Sequence, residues 1–221
     1  FLAANGRPPG GDVLILLLTG AASAGGASAL NEYIERDRDA LMQRTRKRRP
    51  LAVGALNPRT ALVAGLALIV GSVAVALPFN PLLSLFLFLG AFIYVVIYTL
   101  WLKPRTSVNI VVGGLAGSCA VLSGSAAVGA WADSGALLLA LLLFFWTPIH
   151  FWSLALVYRK DYEDVGVPML PVTVSARAAA GWALAHAVGV TISALLLALP
   201  PGLGWLYLAP AGCLSVLLLA R

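Results

Sequence analysis

The sequence predicts an all-α protein, a polytopic bundle of transmembrane helices. Three observations carry this. Of the 221 residues, 60% are hydrophobic and only 11% are charged, with a mean hydropathy of +0.91. Apolar runs of roughly 20 residues, the length that crosses a hydrocarbon core, recur along the chain. The charges collect in alternate connections instead of spreading evenly, as they would on a soluble surface. In a soluble chain the net charge of +6 would suggest nucleic acid. Here it reports membrane orientation, and no nucleic-acid partner is expected.

Seven spans are expected, near 11–30, 60–78, 82–102, 107–131, 135–157, 176–199 and 203–220, each bounded by Pro, Gly or charged residues. The first ends in Gly20 to Ala29, all Gly, Ala or Ser, and a similar stretch, Gly113 to Ser118, lies in the fourth. Small residues let helices approach closely in lipid, and they would equally make room for a bulky apolar ligand. Connections 31–59, 103–106 and 158–177 hold most of the charge. The breaks at Pro78–Pro81, Trp131–Ser134 and Pro200–Gly202 are nearly neutral. Of the 15 Lys and Arg residues, all but Arg7 fall on the face of the charged connections, which the positive-inside rule assigns to the cytoplasm. Cys119 and Cys213 lie far apart within apolar stretches, so neither a disulfide framework nor a Cys-rich metal site is expected.

Residues 31–51 pack four acidic and seven basic side chains beside an apolar span. Ionisable groups near the hydrocarbon are costly unless paired, hydrated or metal-bound. If the first helix continues past Leu30, Asn31, Glu35 and Asp39 recur at i, i+4 and i+8 and form one polar stripe. Asp37 falls off that stripe and could join it only if the helix ends or bends. Oxygen ligands of this kind suit a hard cation such as Mg²⁺. A solvated helix end, with the acids paired to nearby arginines, fits the spacing too. The basic run from Arg44 to Arg49 is compatible with topogenic charge, an anionic-lipid patch or a phosphorylated substrate.

A second charged cluster, Tyr158 to Asp164, lies on the same membrane face, with Tyr158, Asp161 and Tyr162 at helical i, i+3 and i+4 spacing. Two acidic clusters on one side favour a shared polar mouth. His150, between aromatics in Trp146 to Trp152, falls eight residues before that cluster, about 12 Å into the bundle. An intramembrane histidine is expected to face an interior cavity, where it would bind iron, move a proton or hydrogen-bond across helices. His186 is expected to be an interhelical hydrogen-bonder.

Three ordered stretches resemble a known family. They are Asn31 to Thr45 with Arg49-Pro50-Leu51; Tyr98-Thr99 with Lys103, Arg105-Thr106 and Asn109 to Gly114; and Trp146-Thr147-Pro148 with His150-Phe151-Trp152, Tyr158, Asp161-Tyr162 and Gly166 to Pro171. Together they resemble the UbiA superfamily of intramembrane prenyltransferases, most closely its protohaem IX farnesyltransferase branch. That resemblance implies a single transmembrane prenyltransferase domain over 1–221, with seven spans of the family's nine and one missing at each end. It implies transfer of a farnesyl group from farnesyl diphosphate to a vinyl group of haem B, giving haem O and diphosphate. It also implies one or two Mg²⁺ ions on Asn31, Glu35, Asp39 and Asp161, with Asp37 a further candidate. Arg44, Lys103 and Arg105 would neutralise the leaving diphosphate, and Asn109, His150, Tyr158 and Tyr162 would contribute to substrate binding. The implied setting is the cell membrane, with the mouth cytoplasmic and haem A synthase or terminal oxidase assembly taking the product. A prenyltransferase for a quinone precursor or another tetrapyrrole is the enzymatic alternative. A seven-helix cation transporter is the non-enzymatic one, although acids at one mouth argue against an ion path through the midplane.

Overall fold

A computed structural model describes residues 10–199 and 204–219 of the chain. Among the described residues all regular structure is helical, without strands. α1 (Gly10–Leu41) and α2 (Pro58–Ala76) pack along their length; α3 (Pro81–Phe92) runs on into a π-helix (Ile93–Leu102). α4 (Asn109–Ala126), α5 (Ser134–Val157), α8 (Ala176–Leu196) and α9 (Gly204–Leu219) follow, with short α6 (Arg159–Asp164) and α7 (Leu170–Thr173) between α5 and α8. Six of these elements are long and apolar enough to cross a membrane, the π-helix counted with α3, and the chain is a multi-pass membrane protein. The seventh expected span is shorter: α9 has 16 residues. Positions 203 and 220 of that span lie outside the described residues. The fourth span is trimmed from 107–131 to Asn109–Ala126, because Ala127 to Ala130 form a turn that brings the chain to Asp133.

Helix starts follow the local chemistry. Asn57 and Asn80 each precede a proline, and their side chains accept from Arg59 N–H and from Leu82 and Leu83 N–H. This satisfies donors that the first turn leaves free, while proline supplies a φ already suited to the helix. Asp133 and Ser175 cap α5 and α8 in the same way. α6 ends in a left-handed Gly166 (φ +66°), which lets Val167 N–H reach back to Tyr162 O at 3.0 Å.

Small residues set the helix spacing. A Cβ on Gly26 would lie 2.7 Å from Gly65 O, and one on Gly65 would lie 2.8 Å from Leu30 Cδ2, so α1 and α2 touch where both lack side chains. On α4, Cβ atoms at Gly113 and Gly114 would meet the Tyr98 ring at 2.8 Å and Phe144 O at 3.2 Å. Pro148, inside α5, has no N–H to give that Phe144 carbonyl. In stretch 113–118 the glycines serve packing, while Ala116 borders the cavity described below. In stretch 20–29 the work is divided, with Gly26 at the α2 contact and Gly20, Ala21 and Ala24 on a cavity described below.

The largest buried cluster sits under the charged face, where Met42, Tyr98, Ile110, Trp152, Tyr162, Val167 and Met169 pack together. It joins the two charged connections into one floor.

Candidate active site

α1 does not stop at Leu30. It continues to Leu41, so Asn31, Glu35 and Asp39 lie on one face, and each is at most 3% exposed. Two buried carboxylates one turn apart repel each other and are poorly solvated, so cations must reach them. Lys103, at the end of the π-helix, places Nζ against both Glu35 oxygens, 2.6 Å from Oε2. Arg49, in the loop after α1, donates from Nη1 to Asp39 Oδ2 and lies 3.8 Å from Glu35 Oε2. Burial opposes the charge on Arg49, but Asp39, Glu35 and Glu32 more than offset it, so the guanidinium is held above its ordinary range. Asn31 Nδ2 donates to Glu35 Oε2 at 3.0 Å and to Thr99 Oγ1 at 3.1 Å.

The π-helix brings Thr99 and Lys103 to this stripe. Its wider turn pairs Lys103 N–H with Tyr98 O, five residues back, at 2.8 Å. Thr99 Oγ1 likewise donates to Tyr94 O at 2.8 Å. The ring of Tyr98 stacks on Tyr94, and Lys103 Nζ stands 5.6 Å from the centre of the Tyr98 ring. Such stretches concentrate at functional sites because they re-aim side chains that a regular helix would distribute evenly.

The second charged cluster closes onto the first. Asp161, buried, accepts from the backbone N–H of Arg44 at 3.0 Å, while Thr45 Oγ1 donates to Asp39 O at 2.9 Å. The loop after α1 is thus pinned at both sides. Arg44 Nε is buried without a partner, as are Asn109 Oδ1 and Trp152 Nε1. Asn109 spends its Nδ2 on Thr106 O at 2.7 Å. Tyr162 belongs to the buried floor, and Tyr158 is partly buried against it.

Other predicted residues lie elsewhere. Asp37 stays on the outer face because the helix neither ends nor bends there; its side chain is 88% exposed and lies 3.5 Å from Arg36 Nε. Arg105 turns away, donating from Nη1 to the carbonyls of Leu100 and Trp101. His150 is exposed and stacked on Trp146, with ring centres 4.7 Å apart, instead of facing an interior cavity. The buried face of α5 is carried by Pro148, Trp152 and Ala155. His186 bonds within its own helix, Nδ1 to Trp182 O at 2.9 Å, and meets α5 through edge contacts with Trp152 and Phe145. Among the described residues, no group of three or more His, Cys, Asp or Glu side chains gathers at metal-binding distance. The oxygen set of the mouth is Glu35, Asp39 and the Asn31 amide.

Sequence reasoning left Arg49 within a basic run of three compatible uses, and gave Thr99 and Tyr94 no role. Arg49-Pro50-Leu51 and Tyr98-Thr99 stood within the resembling stretches, which was the available signal.

Below the mouth an apolar cavity of about 540 Å³ lies between α1, α3 and α4. Its upper end is at Ala27 and Tyr94, one turn below Asn31, and its lower end is at Leu16 and Gly124. Acids, cations and apolar cavity in line are suited to a molecule with an anionic head and a long hydrocarbon tail.

The sequence profile of the UbiA prenyltransferase family matches residues 1–221. Over 197 residues the chain is 48% identical to protoheme IX farnesyltransferase 1 of Paramagnetospirillum magneticum, covering 88% of this chain and 68% of that one. With the Symbiobacterium thermophilum protoheme IX farnesyltransferase it shares 44% identity over 94% of its length and 70% of the relative's. The Metallosphaera sedula protein of the same name is 46% identical, over 72% of this chain and 56% of its own length. The chain therefore spans between about half and 70% of these curated relatives. The structure of a UbiA homologue from Archaeoglobus fulgidus bound to DMAPP and Mg²⁺ superimposes with a TM-score of 0.72, over 97% of this chain and 74% of that one. At 18% identity, that likeness is one of fold.

Proposed function

This chain belongs to the UbiA prenyltransferase family, and from that premise we propose that it transfers the farnesyl group of farnesyl diphosphate to a vinyl group of haem B, with addition of one water, giving haem O and diphosphate. The observation that carries this is the alignment of two buried, cation-neutralised carboxylates with an apolar cavity whose upper end lies one helical turn below Asn31 on the same helix. The relatives named as protoheme IX farnesyltransferases supply the acceptor and the chain length.

The donor set fits Mg²⁺ in kind, being oxygen only, with two carboxylates and an amide; that ion takes one or two carboxylates and fills its remaining positions with water and phosphate oxygens. Asn31, Glu35 and Asp39 would hold it, with Asp161 the candidate from the second cluster, and bound there it supplies positive charge against the departing diphosphate. The Archaeoglobus homologue, bound to a prenyl diphosphate and Mg²⁺, supports this choice. Lys103 and Arg49 hold two fixed positive charges beside the same acids, and Arg44 brings a buried, unpartnered N–H to the rim. Preorganised cations stabilise charge that grows as the allylic carbon–oxygen bond breaks. Asp161, by holding the Arg44 backbone, fixes at the rim the loop that carries Arg44. The apolar cavity keeps water from the allylic cation until the haem vinyl attacks it; that attack leaves a carbocation beside the porphyrin ring, to which one water adds with loss of a proton, giving the hydroxyethyl carbon of haem O.

The domain so formed is 1–221, sited in the cell membrane with its charged connections cytoplasmic, as the distribution of Lys and Arg supports. Haem A synthase or oxidase assembly would take the product. The test is incubation of membranes containing the chain with haem B, farnesyl diphosphate and Mg²⁺, followed by mass analysis of haem. Farnesyl-hydroxyethyl haem is expected, and it should vanish in Glu35→Ala and Asp39→Ala. Prenylation of a quinone precursor without haem O would overturn the acceptor assignment.

A further inference from the structure

The cavity under the mouth is graded in a way that bears on chain length. Along α1 each residue rises about 1.5 Å, so Ala27 lies about 6 Å below Asn31, Gly20 about 16 Å and Leu16 about 22 Å. An isoprenoid unit has four backbone bonds of about 1.5 Å, which advance roughly 5 Å when extended. Three units end near Gly20, and a fourth would reach Leu16.

The walls at those levels differ in kind. A Cβ on Gly20 would meet nothing within 4 Å, and one on Gly124, across the cavity on α4, would meet only Leu16 Cδ2 at 3.9 Å. Both glycines therefore border open space, whereas Gly26 and Gly65 on the neighbouring contact have none. Below Gly20 and beside Gly124, Leu16 packs on the cluster of Ala76, Leu83 and Leu87, which closes the end. The floor is a side chain backed by packed core, and the walls just above it are bare.

We propose that Leu16, Gly20 and Gly124 form the gauge that sets the length of the prenyl chain, with three isoprenoid units filling the space to Gly20, and Leu16 beside Gly124 stopping a fourth. This rests on the reading of the mouth as a prenyl diphosphate site. The occupant is argued from continuity: the cavity is lined by Tyr94, whose carbonyl accepts from the Thr99 hydroxyl that in turn accepts from Asn31, the residue bonded to the Glu35 that Lys103 pairs.

The experiment compares diphosphates of two, three and four isoprenoid units on the parent chain, Gly20→Leu, Gly124→Leu and Leu16→Ala in membranes. Two readouts are taken: transfer to haem B, and the rise in thermal unfolding temperature with each diphosphate and Mg²⁺. Filling either glycine should lower the three-unit donor at least about tenfold relative to the two-unit donor, the scale on which a pocket resolves small apolar differences. Leu16→Ala should raise the four-unit donor relative to the three-unit donor by a similar factor. Unchanged donor ratios in all three variants, or losses uniform across donors, would overturn the gauge. A parent chain that is stabilised in this length-dependent way but transfers nothing to haem would instead contradict the proposed acceptor and leave the gauge supported.

Discussion

Replacing Lys103 with Met would strand the Glu35 carboxylate. The side chains are 11% and 3% exposed, so neither has water enough to stand alone. Removing one partner of a buried pair typically costs about 3–5 kcal/mol, because the other charge stays buried. Asn31 Nδ2 remains at 3.0 Å and Arg49, although bonded to Asp39, at 3.8 Å, and these remaining partners put the cost at the lower end, about 3 kcal/mol. For a chain of this size each kcal/mol moves the unfolding midpoint by about 2–4 °C, and Lys103→Met should fall by about 6–12 °C. Glu35→Gln removes the stranded charge. The double variant Lys103→Met/Glu35→Gln should therefore regain most of the loss, with a coupling of about 2 kcal/mol. Thermal unfolding in detergent, followed by tryptophan fluorescence, measures all four proteins. A single variant within 2 °C of the parent, about the shift of a surface pair, or a double variant equal to the sum of the singles, would refute the reasoning.

Gly189→Ala should lower stability by about 1–3 kcal/mol, because its Cβ would lie 2.6 Å from the Phe145 ring. Gly181→Ala, in the same helix with nothing within 4 Å, should be neutral or gain up to about 1 kcal/mol, and thermal unfolding separates the two. Asp37→Asn should leave transfer activity within about twofold of the parent, while Asp39→Asn, two residues on, should lower it by at least about a hundredfold; the haem O assay compares them. Asp161→Asn should weaken the hold on the Arg44 N–H by about 1 kcal/mol or more and raise the KM for the prenyl diphosphate more than it lowers kcat.

The membrane class was legible because hydropathy and the confinement of charge both act along the chain. The stripe of Asn31, Glu35 and Asp39 was legible for the same reason: its spacing of four is a property of one helix. What neutralises the stripe was not. Lys103 arrives from 68 residues away, and Arg49 folds back from a loop, so each depends on packing that no local period encodes. The side of α5 that His150 occupies was also hidden, since aromatics surround it in the chain whichever way it faces. Asp37 hung on a helix boundary, and α1 continuing to Leu41 put it on the outer face. The π-helix had no signature, because an apolar run reads alike at 3.6 residues per turn and at a wider winding.

That winding leaves the mouth in tension with its own helix. A stretch such as Ile93–Leu102 carries the equivalent of an inserted residue, and deleting one would let ordinary α-helical bonding form. The resulting helix would be the more regular one. Everything beyond the deletion would swing by about 100° and slide by about 1.5 Å, taking Lys103 away from Glu35. A relative one residue shorter between Phe92 and Lys103 would thus have traded the cation at its mouth for a better helix, and a gap placed there in an alignment would mark a changed site.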